Sequence, residues 1–206
     1  LEAGGEPPSQ MQETTFTRDR VPIHLLANVN LISDLKLARK YKAEGIGLYR
    51  TEFPFIIRND FPSEEEQLQL YGKILEEMQG REVVFRTLDI GGDKMLSYYA
   101  HLTEANPFLG LRAIRFSLRN RQIFSQQLRA LLRVGRSISL KILFPLVSSV
   151  DDFIMIREVV AQCSRDLTAE SVPHNTQPQL GAMVELPSAV EVVEELAEVA
   201  DFLSIG

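Results

Sequence analysis

Short apolar segments alternate with segments of helical periodicity from residue 21 to the end of this chain. Parallel strands joined by right-handed helical crossovers produce such an alternation, in either a doubly wound sheet or a (β/α)8 barrel. The predicted strands lie at residues 22–29, 45–50, 83–85, 140–147, 180–185 and 201–206. The predicted helices begin near Leu31, Glu64, Gln122, Val150 and Pro187.

Two of these helix starts carry a capping signal. Ser63 with Glu66, and Ser149 with Asp152, have the three-residue spacing at which a serine side chain caps a helix and an acidic side chain bonds back. Three successive glutamates from Glu64 also suit a helix N-terminus through the helix dipole, so a metal is not needed to explain them.

Charged residues stand at the carboxyl ends of three predicted strands: Arg50, Arg86 and Glu185. A barrel assembles its active face from several such strand ends. No G-x-G-x-x-G follows the first strand, which counts against a dinucleotide-binding fold. We therefore predict an α/β fold, a (β/α)8 TIM-type barrel truncated after strand six, over residues 21–206. Residues 1–20, rich in Gly, Pro and Gln, are expected to be a linker from an upstream segment.

The densest group of ligand-type residues lies in the segment 82–115. After Arg86, the glycine pair at 91–92 allows the backbone to approach a ligand closely, and Lys94 and Arg112 add cationic donors. Such donors suit a carboxylate or a phosphate. A solvated loop with scattered charges explains any one of these residues about equally well, but explains the whole cluster less easily.

Composition excludes several classes of function. The net charge of −6 argues against general nucleic-acid binding, so local cations must hold an anionic substrate. No apolar run approaches the roughly 18 residues of a membrane span, and the N-terminus lacks signal-peptide features. The single cysteine, Cys163, cannot form an internal disulfide, which fits a reducing compartment, and its place on a helical apolar stripe indicates a core residue.

Seven motifs follow one another along most of the chain: GIGLYRTEF, FPSEEEQ, FRTLDIGGDK, NPFLGLRAIR, FPLVSS, MVELPSA and DFLSIG. In this order and spacing they resemble the C-terminal, phosphoenolpyruvate-binding barrel of enzyme I of the bacterial phosphotransferase system. The stretch YRTEFPFIIRNDFPSEEEQ is most similar to the nitrogen-related branch of that family. The resemblance covers nearly everything from residue 21 onward.

The resemblance implies a reaction, a cofactor and partners. Enzyme I transfers the phosphoryl group of phosphoenolpyruvate to its own histidine, which lies in an upstream domain, and then to a phosphocarrier protein. The resemblance also implies that the protein is a cytoplasmic homodimer and that it requires Mg²⁺. Phosphoryl transfer of this kind needs charge neutralisation and positioning more than covalent help from the barrel.

The resemblance also implies roles for individual residues. Arg50 and Arg86 resemble the arginines that hold the substrate phosphate, and Glu185 resembles one of two carboxylate ligands of Mg²⁺. Other residues that resemble the lining of the same pocket are Lys94, Asn106 and Arg112.

Several parts of the family's catalytic machinery have no counterpart here. The second metal carboxylate, a further arginine and a proton-donating cysteine would follow Gly206, and Cys163 does not match that cysteine's motif. None of His24, His101 or His174 has the context of the phosphorylated histidine. We therefore expect no catalytic residue within this fragment and no autophosphorylation by the fragment alone.

The same residues also fit other interpretations. A phosphoenolpyruvate synthase or pyruvate phosphate dikinase barrel shares the substrate and the arginine-bearing strands. A non-catalytic module for dimerisation or for sensing phosphoenolpyruvate would use the same residues. The plainest alternative is a barrel in which the arginines at strand ends only form structural ion pairs.

Overall fold

The computed structural model describes residues 15–58, 60–90 and 112–206. A two-stranded antiparallel hairpin comes first, formed by β1 (Thr15–Phe16) and β2 (Pro22–Ile23). Six parallel strands follow and form one sheet. They are β3 (Leu26–Val29), β4 (Gly45–Arg50), β5 (Val83–Arg86), β6 (Lys141–Phe144), β7 (Gln179–Val184) and β8 (Phe202–Ile205).

The order of strands in this sheet is the order of the chain, from β3 to β8. A doubly wound sheet reverses its strand order part-way, whereas a barrel adds each strand beside the previous one. The sheet is therefore a curled half-barrel, and the choice of a barrel-type α/β fold over a doubly wound one is confirmed.

Helices connect the strands and cover the outer face of the sheet. They are α1 (Asp34–Lys40), α2 (Phe53–Ile56), α3 (Glu64–Met78), α4 (Ile114–Arg119), α5 (Arg121–Val134), α6 (Val150–Ala169), α7 (Pro187–Glu191) and α8 (Val193–Val199). A 3₁₀ turn, Gly135–Ser137, follows α5.

Both predicted capping signals are confirmed. At the start of α3, the Glu66 backbone N–H donates to Ser63 Oγ at 3.3 Å, and the Ser63 N–H donates to Glu66 Oε2 at 2.9 Å. At the start of α6, the Asp152 N–H donates to Ser149 Oγ at 3.1 Å. These bonds satisfy backbone donors that a helix N-terminus leaves open, which is why both helices begin where the sequence predicts.

Alternate residues of the strands face opposite sides of the sheet. The outer face belongs to the main core, where the ring of Phe85 lies 5.8 Å from Tyr49 and 5.3 Å from Tyr71 of α3. The inner face carries a smaller cluster formed by Leu48, Val84, Leu143 and Met183, with Phe202 packed against it. Because side chains alternate along a strand, the residues two positions beyond this cluster also face inward.

The first predicted strand, residues 22–29, is wrong as a single element. The structure divides it between the hairpin strand β2 and the sheet strand β3. The Glu44 side chain explains the division, because its Oε1 accepts the Leu25 N–H at 3.0 Å and its Oε2 lies 2.6 Å from His24 Nδ1. The Leu25 N–H thus bonds to a side chain, whereas in a continuous strand it would bond to the neighbouring strand.

Two further details differ from the prediction. The helix that begins at Pro187 is divided at Val192 into α7 and α8, where two β-branched valines, Val192 and Val193, lower helix propensity. The short helices α2 and α4 were not predicted. By contrast, α5 confirms the predicted helix over residues 122–134, with its start one residue earlier.

Candidate anion-binding site

Arg50 and Arg86 are neighbours at the carboxyl edge of the sheet. They end β4 and β5, and their Cα atoms are register partners in the parallel pair. Each lies two residues beyond a member of the inner cluster, Leu48 or Val84, so both side chains belong to the inner face. Arg50 is exposed and has no ion pair with the residues that the structure describes, whereas Arg86 is only 4% exposed.

Two buried carboxylates hold the guanidinium group of Arg86. Its Nη2 bonds to Glu52 Oε1 and lies 3.4 Å from Asp89 Oδ2. Its Nε is buried and has no hydrogen-bond partner among the described residues. A buried donor without a partner is rare and costly in a folded protein. Among the described residues, this Nε therefore keeps an unused donor inside the cluster.

Asp89 also brings a second arginine into the cluster. Arg112 Nε donates to Asp89 Oδ1 at 3.0 Å, and Arg112 Nη2 lies 3.4 Å from Asp89 Oδ2. One carboxylate thus bridges the guanidinium groups of Arg86 and Arg112, two residues far apart in sequence. With Arg50 in register beside Arg86, this group of described residues has three guanidinium groups and two carboxylates, those of Glu52 and Asp89.

Glu185 lies at the same edge but apart from the guanidinium cluster. It follows Met183 of the inner face by two residues, and β6 separates its strand, β7, from β5. Strands are spaced about 4.8 Å apart, so roughly 10 Å separates β5 from β7. Glu185 Oε1 accepts the Leu146 N–H at 2.8 Å, and its Oε2 accepts no hydrogen bond from the described residues.

The phosphoenolpyruvate-binding domain of the phosphoenolpyruvate-utilising enzymes is the family whose model matches this chain, over residues 7–206. The chain belongs to this family. Three curated relatives bear the name phosphoenolpyruvate-protein phosphotransferase. The protein of Mycoplasma capricolum is 44% identical over 194 residues, that of Geobacillus stearothermophilus 43% over 196, and that of Listeria monocytogenes 42% over 194. The matches cover 94%, 95% and 94% of this chain, but 34% of each relative.

Not every predicted site residue of this phosphoenolpyruvate-binding domain can be placed. Arg86 and Arg112 share Asp89, Arg50 is the register partner of Arg86, and Glu185 lies on the same face. Lys94 and Asn106 lie outside the described residues, so their part in the pocket stays a prediction. Within the described ranges, no three His, Cys, Asp or Glu side chains are grouped so as to hold a metal ion.

Sequence reasoning gave no role to the buried Glu52, and it also missed a buried polar residue on α5, Gln127. It is 1% exposed and forms hydrogen bonds to Thr51, Tyr71 and the Leu88 backbone. The signal was present in the sequence, because Gln127 interrupts an apolar stripe between Phe124 and Leu131. A glutamine at a core position has to find partners there, and this one finds them at the strand ends.

Cys163 and His174 both have structural surroundings. Burial raises the pKa of the Cys163 thiol, and its Sγ lies 4.0 Å from the Ser125 carbonyl oxygen, as expected of a core residue. His174 is held by Ser164 and by the Val172 carbonyl oxygen, at 2.9 and 2.8 Å.

In the part of the chain that the structure describes, none of the helices combines the length and apolar composition needed to cross a bilayer.

Proposed function

We propose that this chain is the phosphoenolpyruvate-binding part of a phosphoenolpyruvate-protein phosphotransferase. The whole protein transfers the phosphoryl group to its own histidine, in an upstream domain, and then to a phosphocarrier protein. The chain spans about a third of the length of the curated relatives it matches, and the name that these relatives bear supports the proposal. The structural observation that carries it is an arginine cluster at the inner strand edge, in which the buried Nε of Arg86 has no hydrogen-bond partner within residues 15–58, 60–90 and 112–206.

The arginine cluster has the chemistry that the substrate requires. Phosphoenolpyruvate carries a phosphate and a carboxylate, and guanidinium groups bind both through paired, charge-assisted hydrogen bonds. Arg86 and Arg50 bind the phosphate in this proposal, and Arg112 adds a third cation. Glu52 and Asp89 fix the guanidinium planes before substrate arrives, so that little reorganisation accompanies binding.

Two further residues complete the proposed pocket. Lys94 adds an ammonium group and Asn106 adds an amide, both from the segment between Asp89 and Arg112. Since Asp89 and Arg112 are bonded to each other, the two ends of this segment meet at the arginine cluster. That closure supports a location of Lys94 and Asn106 near the substrate.

Glu185 is the proposed magnesium ligand. Its Oε2 accepts no hydrogen bond from the described residues, and a carboxylate oxygen is a donor that Mg²⁺ prefers. One such carboxylate fits the ion, because Mg²⁺ commonly completes its coordination with water and substrate phosphate. When bound, Mg²⁺ would neutralise part of the phosphate charge. The Leu146 N–H holds the other carboxylate oxygen and so orients Glu185 toward that role.

The proposal extends to architecture and assembly. We infer that the half-barrel is the described part of a (β/α)8 barrel domain over residues 21–206, truncated after strand six and preceded by a linker. The family resemblance supports a cytoplasmic homodimer, and the stretch from Tyr49 to Gln67 supports the nitrogen-related branch.

Calorimetric titration with phosphoenolpyruvate and Mg²⁺ tests the binding site. We expect Arg86→Ala to weaken binding roughly 100-fold, the effect of losing strong charge-assisted hydrogen bonds. Arg136→Ala is the matched control, because Arg136 is exposed at the opposite end of the sheet, before β6. Glu185→Gln should weaken Mn²⁺ binding, read by electron paramagnetic resonance. Equal affinity of the Arg86→Ala variant and the unaltered protein, or no binding by either, would contradict the proposal.

The transfer reaction requires a second measurement on the full-length polypeptide that contains this chain. Incubation with phosphoenolpyruvate labelled in its phosphate should place label on a histidine. Binding without labelling would favour a sensing module, which uses the same arginines and transfers nothing.

A further inference from the structure

A chain of buried hydrogen bonds joins helices α3 and α5 to the strand ends that carry the arginines. Gln127 lies at its centre. From the geometry we infer that Gln127 is a positioning residue for Arg86, acting through Thr51 and Leu88. This inference rests on the proposed function, in which Arg86 binds the substrate phosphate.

The bonds of Gln127 are direct and well formed. Its Nε2 donates to Thr51 Oγ1 at 3.0 Å and to the Tyr71 hydroxyl at 3.2 Å. Its Oε1 accepts the Leu88 N–H at 2.9 Å. Thr51 Oγ1 in turn donates to the Arg86 carbonyl oxygen at 2.9 Å. Since Thr51, Tyr71 and Gln127 are at most 1% exposed, water does not compete for these bonds.

Gln127 acts where the backbone ladder of the sheet stops. The register of β4 with β5 ends at the pair of Arg50 and Arg86. Beyond it, the Thr87 N–H still bonds to the Leu143 carbonyl oxygen at 2.9 Å, but the next N–H, that of Leu88, bonds to Gln127 instead. The side chain therefore continues the ladder past the last paired residues.

The two residues that Gln127 holds each precede a carboxylate that orients Arg86. Thr51 comes before Glu52, and Leu88 comes before Asp89. Both carboxylates contact Arg86 Nη2. One amide thus fixes the backbone beside both anchors of the guanidinium group, and also fixes the Arg86 carbonyl oxygen through Thr51. A shift of the Gln127 amide therefore moves Glu52, Asp89 and the Arg86 carbonyl oxygen together.

The hydrogen bonds of Tyr71 and Gln67 set the orientation of the Gln127 amide. Tyr71 donates its hydroxyl proton to Gln67 Oε1 at 3.0 Å, and Gln67 Nε2 donates to the Pro62 carbonyl oxygen at 2.9 Å. Burial raises the pKa of Tyr71, so its hydroxyl keeps the proton it donates. The hydroxyl oxygen is then an acceptor toward Gln127, and Gln127 Nε2 is the donor. A flipped amide would face the Leu88 N–H with an N–H group and lose that bond.

The test compares phosphoenolpyruvate affinity with thermal stability in matched variants. Gln127→Met keeps the side-chain length and removes the hydrogen bonds, and Thr51→Val removes the hydroxyl that joins Gln127 to the Arg86 carbonyl oxygen. We expect both to weaken binding roughly 10- to 100-fold, because small displacements of a binding group cost affinity steeply. Thr51→Ser restores the hydroxyl and should bind within about twofold of the unaltered protein.

A structural control separates positioning from general destabilisation. Asn175 also has a side-chain amide with backbone partners, but it lies at the opposite end of the sheet. Its Nδ2 donates to the carbonyl oxygens of Gly135 and Ile138 at 2.9 Å each, and its Oδ1 accepts the Gln177 N–H at 2.9 Å. Asn175→Leu should lower the melting temperature and leave phosphoenolpyruvate affinity unchanged. Unchanged affinity in Gln127→Met, measured well below its melting temperature, would overturn the inference.

A second readout is independent of substrate. The Arg86 Nε–H resonance in a ¹H–¹⁵N spectrum, assigned by its loss in Arg86→Lys, should shift in Gln127→Met and Thr51→Val but not in Asn175→Leu. If the unaltered protein binds no phosphoenolpyruvate, the proposed function fails, while this resonance still reports on positioning. An Nε–H signal that Gln127→Met leaves in place would overturn the positioning role.

Discussion

Replacement of Glu52 by glutamine removes one of the two carboxylates that surround the buried Arg86. The Glu52 and Arg86 side chains are 7% and 5% exposed, so solvent screens the pair weakly. Loss of one partner of a buried ion pair costs about 3–5 kcal/mol, because the other charge stays buried. Asp89 remains 3.4 Å from Arg86 Nη2, which places the expected loss of unfolding free energy at the lower end, about 3 kcal/mol.

Urea unfolding followed by circular dichroism measures this loss directly. For a chain of this length, about 3 kcal/mol corresponds to a fall of roughly 6–12 °C in melting temperature. Glu77→Gln is the matched control. Its carboxylate pairs with Arg39 Nη1 at 2.6 Å, but the side chains are 43% and 40% exposed, and such a pair contributes less than about 1 kcal/mol.

The double variant Glu52→Gln/Arg86→Met completes the test. With the cation removed, the carboxylate is no longer needed, so the double variant should regain part of the stability lost in Glu52→Gln. A loss of stability in Glu52→Gln no larger than that in Glu77→Gln would contradict this prediction, because it would mean that the buried Arg86 does not depend on Glu52.

Three further predictions concern the scaffold. Gly181→Ala should destabilise the protein by about 1–3 kcal/mol, because an added Cβ would lie 2.3 Å from the Phe202 ring; Phe202→Ala in the same chain should remove most of that penalty in thermal melts. Cys163 should react with a thiol reagent only as fast as the protein unfolds, since burial raises its pKa; rapid labelling of the native protein would contradict this. Hydrogen bonding from the Ser63 backbone lowers the pKa of Glu66. The contribution of Glu66 to the stability of the folded state is therefore present above its ordinary pKa of 4.5 and is lost as the pH falls through the lowered pKa. Acid unfolding curves should show a weaker pH dependence in Glu66→Gln.

The strand-end residues could be predicted from the sequence because their pattern is local. An apolar run followed by a charge places Arg50, Arg86 and Glu185 at one edge of a parallel sheet, whatever the details of the helices. The capping pairs were predictable for the same reason, since all their atoms lie within one turn of helix. The relative order of the strands also followed, because consecutive crossovers in a barrel all turn the same way.

The partners of those residues could not be predicted, because they come from distant parts of the chain. Glu52 and Arg86 are 34 residues apart, and Gln127 is 76 residues from Thr51. No spacing rule connects such positions before the sheet and helices are assembled. The error at residues 22–29 has the same origin, since Glu44 reaches back across the chain to occupy the Leu25 N–H.

The strand order allows the sheet to form while the chain is still being synthesised. Each strand from β4 to β8 pairs with the strand that precedes it, so every new strand meets an edge that is already made. During synthesis the chain emerges from its N-terminal end, and early segments fold while later ones are still absent. Growth of the sheet can therefore follow translation, one strand and its helix at a time, because each strand pairs with the strand before it in sequence. Arg50 and Arg86 come to lie side by side at the second such step, when β5 pairs with β4. The helix that carries Gln127 is synthesised only afterwards.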